Sequence, residues 1–146
     1  MDLSRLKWPI IIIVVLGVGW LGSSAGVSYM VNKFTAATPG QDAAQDKVDE
    51  AGLSRVGGYL LMTFRYAQAA TVYQLAIDRY GTNGVNYWNN QYSLARCLEH
   101  MNRFQDSYNI LQMLISNSAH NYDPRVPVDD NLRLRAAKLK EVHELR

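Results

Sequence analysis

The sequence predicts an all-α protein with one N-terminal transmembrane helix and a small helical domain behind it. Between Lys7 and Lys33 the chain carries no charged residue, and a helix that spans the hydrocarbon of a bilayer needs about 20 mostly apolar residues. Beyond this stretch, apolar residues recur at helical spacing, without the alternation typical of strands. The 146 residues therefore divide into three parts: a transmembrane signal anchor (1–32), an acidic linker (33–50) and a helical domain (51–146).

The apolar stretch of residues 8–31 is interpreted as an uncleaved signal anchor. Arg5 and Lys7 precede it, as in a secretory signal, and residues 23–25 are small, as at a cleavage site. A cleaved signal has an apolar core of about 7–15 residues, whereas this one continues to Val31. The positive residues on the N-terminal side favour a cytoplasmic N-terminus and a periplasmic domain.

Small residues within the predicted span indicate contact with another membrane helix. Gly19 and Ser23, and likewise Gly22 and Gly26, lie four residues apart, a spacing that lets helix backbones approach closely in a bilayer. The alternative is the ordinary glycine content of a membrane helix. The Gly-x-Gly-x-x-Gly pattern that begins at Gly17 is not a nucleotide-binding fingerprint, because it lies inside the span rather than between a strand and a helix.

The linker is predicted to be a flexible or partly helical spacer. It contains Pro39-Gly40 and shows no apolar period. Its acidic residues are Asp42, Asp46, Asp49 and Glu50.

The helical domain contains an internal repeat, in which residues 64–76 align with residues 102–114. In both segments an Arg-aromatic pair is followed three residues later by a small residue, then by a large apolar or aromatic residue and by a further apolar one. An internal repeat with a period of this size is typical of stacked helical hairpins.

This pattern resembles the tetratricopeptide repeat, a family of antiparallel helix pairs of about 34 residues. In the first unit the residues that fit are Gly57, Tyr66, Ala69, Tyr73 and Ala76, and in the second they are Ala95, Phe104, Ser107, Leu111 and Leu114. The unit here is longer than that of the family, and the additional length is placed in the Gly-rich segment 81–86. The closing proline of the family is missing from both units. The sequence pattern of the repeats is similar to that of repeats found in bacterial envelope assembly proteins.

A capping helix is predicted over residues 130–145, because two repeats alone would expose apolar surface. Pro127 and Asp130 are typical of a helix start. One apolar stripe follows, formed by Leu132, Ala136, Leu139 and Val142.

A coiled coil is the competing interpretation of the same region, since tyrosines recur every seven residues. They are Tyr59, Tyr66, Tyr73, Tyr80 and Tyr87. Gly81 and Gly84 interrupt this run, and a coiled coil also needs apolar residues at its second core position. We therefore favour the hairpin repeat.

No pattern in the chain predicts enzyme chemistry, a cofactor or a metal site. His100, His120 and His143 lack the spacing of a zinc protease, and Cys97, the single cysteine, is predicted to be a buried apolar residue. The nearly neutral domain argues against nucleic-acid binding. We expect neither a small-molecule substrate nor catalysis.

Binding of a partner is the better expectation. In the tetratricopeptide-repeat family the first helix of each unit lines a concave surface, and the resemblance implies an apolar half and a polar half here. The candidate partner-binding residues are Leu61, Met62, Asn89, Tyr92, Arg96, Glu99 and His100. The alternative is that these side chains only face solvent.

The expected function is that of a non-enzymatic accessory or scaffold subunit of a larger membrane complex. Its partners would be integral membrane proteins and soluble periplasmic proteins, at the bacterial inner membrane. The alternative is a membrane-tethered periplasmic chaperone or adaptor at a translocon or an envelope assembly machinery.

Overall fold

The computed structural model describes residues 3–145, with side chains from residue 7 onward. Within that part of the chain it contains seven α-helices and no strand, which confirms the all-α prediction. Two single 3₁₀ turns, Gly81–Asn83 and Ala119–Asn121, lie between helices. The helices are α1 (Leu3–Gly22), α2 (Ser24–Thr35), α3 (Ala43–Met62), α4 (Tyr66–Tyr80), α5 (Tyr87–His100), α6 (Phe104–Ser116) and α7 (Asp129–His143).

The predicted membrane span is broken at Ser23. Ser23 has an extended backbone (φ −72°, ψ 166°), and its side chain caps α2 by accepting the N–H of Gly26. The axes of α1 and α2 meet at 70°. A side chain at Gly26 would collide with the backbone of Trp20 and Leu21, so the close turn requires glycine there. The prediction of one unbroken helix over residues 8–31 is therefore wrong.

The break shortens the continuous apolar helix that could span a membrane. Among the described residues no single helix combines the length and hydropathy that a bilayer span requires. Lys7–Gly22 and Ser24–Thr35 reach that standard only when taken together across the bend.

Helix α2 belongs to the helical domain. Its apolar residues Val27, Met30, Val31 and Phe34 pack against the buried cluster of α3 and α4, and they follow the i, i+3, i+4, i+7 spacing of an amphipathic helix. Its opposite side, which includes Ser28, is exposed. The domain therefore begins at Ser24, not at residue 51.

The predicted linker is mostly helix. Asp42 caps α3 by accepting the N–H of Ala44 at 2.9 Å, which places most of the acidic residues inside α3. Asp49 and Glu50 are buried. The connection between α2 and α3 is confined to residues 36–42, and Arg79 of α4 holds it by donating to the carbonyl of Ala37 at 2.6 Å.

Helices α2 to α7 form a stack in which each helix packs on its neighbours in the chain. Two buried clusters fill it, one under α2–α5 and one between α5, α6 and α7. Ala69 and Ala95 are fully buried, as the predicted repeat requires of its small positions. The tyrosines of the coiled-coil alternative lie on three different helices, so they form no seam.

The two hairpin turns are structurally equivalent. Phe64 and Asn102 both adopt the left-handed conformation, with φ of 61° and 60°. In the first turn the N–H of Arg65 donates to the carbonyl of Leu60 at 2.9 Å, and in the second the N–H of Arg103 donates to the carbonyl of Leu98 at 2.8 Å. The repeat read from the sequence is thus reproduced, in the same register, in the backbone.

Helix α7 closes the end of the stack. Leu132, Ala136 and Leu139 are buried against the cluster that includes Leu111 and Leu114. The capping helix predicted over residues 130–145 is found at Asp129–His143, and the predicted fourth member of its stripe, Val142, is exposed.

A buried carboxylate orders the segment between the two hairpins. Glu50 accepts the N–H of Asn86, the residue before α5, at 2.9 Å. Burial raises the pKa of Glu50 above its ordinary value, although the N–H groups of Asn86 and Val85 and the charge of Arg125 act in the opposite direction. Gly84 is required beside it, because a Cβ there would collide with this carboxylate.

Adjacent glycines of α3 provide a test of the α3–α4 packing. A Cβ at Gly57 would lie 2.9 Å from the buried ring of Tyr73, whereas a Cβ at Gly58 would meet only its hydroxyl at 3.6 Å. We expect Gly57→Ala to destabilise the protein by about 1–3 kcal/mol through overpacking, and Gly58→Ala to stabilise it by about 0.5–1 kcal/mol through helix propensity. Chemical denaturation of the full chain in mild detergent measures both values, and equal effects would refute the packing.

The buried carboxylates provide a test by pH. Because the pKa of Glu50 is raised, its contribution to stability is greatest below the unfolded value of about 4.3 and is lost as pH rises through the folded pKa. We therefore expect the advantage of the wild type over Glu50→Gln in melting temperature to shrink between pH 4 and pH 7.

Asp123 serves as a control, because its contribution to stability should depend on pH in the opposite direction to that of Glu50. Burial would raise the pKa of Asp123, but hydrogen bonds from the side chain and backbone of Arg125 outweigh burial and lower it. Its contribution is present above the unfolded value of about 3.9 and is lost as pH falls. Thermal melts of Asp123→Asn should show the reverse pH trend, and a Glu50→Gln difference that does not vary with pH would contradict the argument.

Candidate functional site

Helix α1 stands outside the helical stack. Its large apolar side chains, from Trp8 to Leu21, are all exposed. Soluble proteins rarely expose apolar surface of this extent unless it is an interaction site. The junction of α1 with the stack is therefore the first candidate site.

The junction is held by the α3–α4 turn. The guanidinium of Arg65 donates to the carbonyl of Gly22 at 2.8 Å and to Ser24 Oγ at 3.2 Å. The hydroxyl of Tyr59 lies 3.5 Å from the same carbonyl. A positive side chain is favourable there, because the last carbonyls of a helix carry partial negative charge. These contacts fix the end of α1 to the domain.

An apolar crevice of about 360 Å³ lies between α1, α2 and α3. Val18 and Leu21 of α1 form one wall, and Arg55 is the single charged residue of its lining. The remaining lining residues are Gly22, Met30, Phe34, Gly52, Val56 and Tyr59. The crevice continues the apolar surface of α1 onto the domain.

Exposed apolar side chains extend from this crevice to the α3–α4 turn. Met62 is 81% exposed, Phe64 77% and Tyr59 39%. Phe64 holds its left-handed backbone (φ 61°), a conformation that costs about 1–2 kcal/mol for a residue with a Cβ. We name Tyr59, Met62 and Phe64 the turn patch.

Some of the predicted partner-binding residues of α5 make hydrogen bonds within the protein instead. Arg135 of α7 binds both carboxylate oxygens of Glu99 at 2.8 Å and donates to the hydroxyl of Tyr92 at 3.1 Å. Ser107 donates to the same carboxylate at 3.0 Å. The bond with Glu99 raises the pKa of Arg135. Tyr92 and Glu99 therefore hold the capping helix.

The other predicted residues are dispersed. His100 stacks on Tyr66 with ring centroids 4.2 Å apart, and Arg96 is exposed. Asn89 is partly buried, and its backbone lies beside Asp123. Leu61 packs against the core, and Met62 belongs to the turn patch.

A second candidate site, which the sequence analysis missed, lies between α4, α5 and α6. A groove of about 640 Å³ has apolar residues, among them Leu94 and Leu98, at its base, and polar side chains of α4 and α6 around it. The signal for it was present in α4, where small and polar residues share one face. They are Ala67, Thr71, Gln74 and Asp78.

The predicted transmembrane packing residues divide into two groups. Gly19 lies on α1, and a Cβ there would meet open space. Gly22, Ser23 and Gly26 lie at the bend, where a Cβ at Gly22 would come within 2.5 Å of the Tyr59 hydroxyl. Because α1 ends at Gly22 and α2 begins after Ser23, the four residues do not lie along one continuous helix face.

No protein-family profile, curated protein or solved structure matches this chain.

The two equivalent arginines provide a test of the junction. Arg65→Ala removes the bonds to Gly22 and Ser24, so α1 should take a wider range of orientations. Arg103→Ala is the matched control, because Arg103 pairs with Asp106 on the surface of α6. Pulsed electron paramagnetic resonance between spin labels on α1 and α7, in nanodiscs, should give a broader distance distribution for Arg65→Ala alone. Equal widths in the two variants would contradict the role of Arg65.

Proposed function

We propose that the protein is a non-enzymatic accessory or scaffold subunit of a membrane complex, anchored by α1. The observation that carries this proposal is the exposed apolar surface of α1, which hydrogen bonds join to a stack that has buried apolar clusters of its own. Burying a large apolar side chain is worth about 1.5–3 kcal/mol, so the apolar residues of α1 favour transfer from water into lipid or against apolar helices.

The hydrogen bonds at the junction favour a scaffold over a flexible tether. A chaperone that meets many clients benefits from a long flexible linker, whereas here α2 follows α1 directly and packs into the domain. The bonds of Arg65 to Gly22 and Ser24 oppose free rotation of α1. A subunit of this kind would place its helical domain at a defined angle to the membrane.

The proposed location is the bacterial inner membrane, with the N-terminus in the cytoplasm and the helical domain in the periplasm. Positive residues before the apolar part of α1 support this orientation, because cytoplasmic flanks of membrane helices are enriched in Lys and Arg. Integral membrane proteins of the complex would contact α1. Gly19, which faces open space, is a suitable position for close helix contact.

The stacked hairpins support the resemblance to tetratricopeptide repeats as part of the proposal. Their equivalent turns and buried small residues are consistent with such a repeat. The groove between α4 and α6 is the observation that favours the alternative function, a membrane-tethered chaperone or adaptor. Its size and its apolar base suit an extended peptide or one face of a helix.

Purification from native membranes tests the proposal. The tagged chain is extracted in mild detergent, and the bound proteins are identified with their stoichiometry. We expect a fixed set of integral membrane proteins at integer ratios. Varied secreted proteins at low occupancy, or translocon components alone, would instead indicate the chaperone or adaptor.

Substitution at Gly19 tests whether α1 packs against a partner helix. A Cβ at Gly19 or at Gly17 would meet nothing within 4 Å, so we expect leucine at either position to leave the fold intact. The two residues lie on different sides of α1. Gly19→Leu should lower the yield of the integral partners, and Gly17→Leu should not. Full yield from Gly19→Leu would contradict packing through this face. Gly22 and Gly26 are unsuitable here, because substitution there disturbs the bend.

A further inference from the structure

We infer that the turn patch is a second membrane contact, in which Tyr59, Met62 and Phe64 lie among the lipid headgroups of the bilayer that holds α1. The inference rests on the proposed anchoring of α1 and specifies where the helical domain sits. The proposed occupant of the turn patch is lipid, and this contact places the α3–α4 turn against the membrane surface.

The position of the patch follows from the fixed junction. Arg65, the residue after Phe64, is bonded to Gly22 at the end of α1, and Tyr59 approaches the same carbonyl. The patch therefore stays beside the C-terminal end of α1. Once α1 is in the bilayer, this end lies at its boundary, where aromatic side chains are favoured.

The second hairpin serves as an internal comparison. In the register of the repeat, Leu61, Met62 and Phe64 correspond to Glu99, His100 and Asn102. Both turns have the same backbone, yet the exposed positions 62 and 64 of the first turn are apolar, whereas their exposed counterparts in the second turn, His100 and Asn102, are polar. Asn readily adopts the left-handed conformation, whereas for a bulky residue it is an outlier. Asn would therefore suit the backbone at position 64 better than Phe64, whose side chain is exposed and makes an edge contact with the ring of Tyr66.

The length of α1 also brings the domain close to the membrane. Its uncharged part, residues 8–22, would extend roughly 22 Å at 1.5 Å per residue, whereas the hydrocarbon of a bilayer is about 30 Å thick. A short apolar helix is accommodated by local thinning and by flanking residues that enter the interface. Here the flanking surface consists of the crevice and the turn patch. Arg55, in the lining of the crevice, suits an anionic headgroup.

Lipid-borne quenching tests the inference in the full chain. The natural cysteine is removed (Cys97→Ser), and an environment-sensitive nitrobenzoxadiazole label is attached either through Met62→Cys or through His100→Cys, the equivalent position of the second hairpin. Both chains are reconstituted into vesicles of phosphatidylcholine and phosphatidylglycerol that contain a lipid spin-labelled near its headgroup. We expect the label at position 62 to emit at shorter wavelength and to be quenched by the spin-labelled lipid. The label at position 100 should keep its aqueous emission.

A further variant separates insertion from mere proximity. Phe64→Asn copies the residue of the second turn, which suits the backbone, so the fold should be retained. Adding it to the chain labelled at position 62 should reduce the quenching, because the main apolar contact is lost. Circular dichroism of the same samples checks that the helical content is unchanged.

Flotation of the vesicles distinguishes the two proposals. Chains that float with the vesicles but whose label at position 62 stays aqueous would overturn the turn-patch contact and leave the α1 anchor intact. Chains that do not float would overturn the anchor, and the second contact with it. A label that is aqueous in vesicles but shielded in native membranes would assign the patch to a protein partner and so overturn the lipid assignment.

Discussion

The bend at Ser23 is the constraint on which the rest of the structure depends. Ser23 ends α1 and caps α2, while Gly26 allows the two helices to turn at close range. An unbroken helix would carry residues 24–35 away from the domain. The bend instead turns them back, so that Val27 and Phe34 complete the core over α3 and α4. The first layer of the stack therefore exists because the apolar stretch does not continue straight.

Close approach at the bend is stabilised by polar groups as well as by packing. Arg65 satisfies the carbonyl of Gly22, one of the last carbonyls of α1, which has no partner within that helix. The same residue ends the turn of the first hairpin. Helix α1, helix α2 and the first hairpin thus share one interaction, which gives the domain a defined orientation relative to α1. The proposed scaffold role depends on this orientation more than on any groove.

The two sides of the stack differ in what their polar side chains contact. On the side of α5 and α7, Arg135 is bonded to Glu99 and Tyr92, so residues predicted to bind a partner stabilise the capping helix. On the side of α4 and α6, the helices leave a groove with polar side chains around it.

The sequence by itself determined the helical class, the internal repeat of two hairpins and the position of the capping helix. These features depend on local spacing, since a buried stripe such as Leu132, Ala136 and Leu139 is visible as a period along one helix. The small residues Ala69 and Ala95 were identified for the same reason.

Only the tertiary structure decided where the apolar stretch stops being an exposed helix and becomes part of the core. Val27 and Phe34 are as apolar as the residues of α1, and hydropathy does not distinguish lipid from protein as the surface that covers them. The i, i+3, i+4, i+7 spacing in α2 was present in the sequence, but the length of the uncharged stretch outweighed it. The partners of Glu99 and Glu50 were likewise beyond local reasoning, because Arg135 and Asn86 each lie 36 residues away along the chain. Burial and pairing at that distance are set by how the helices stack, which no single segment encodes.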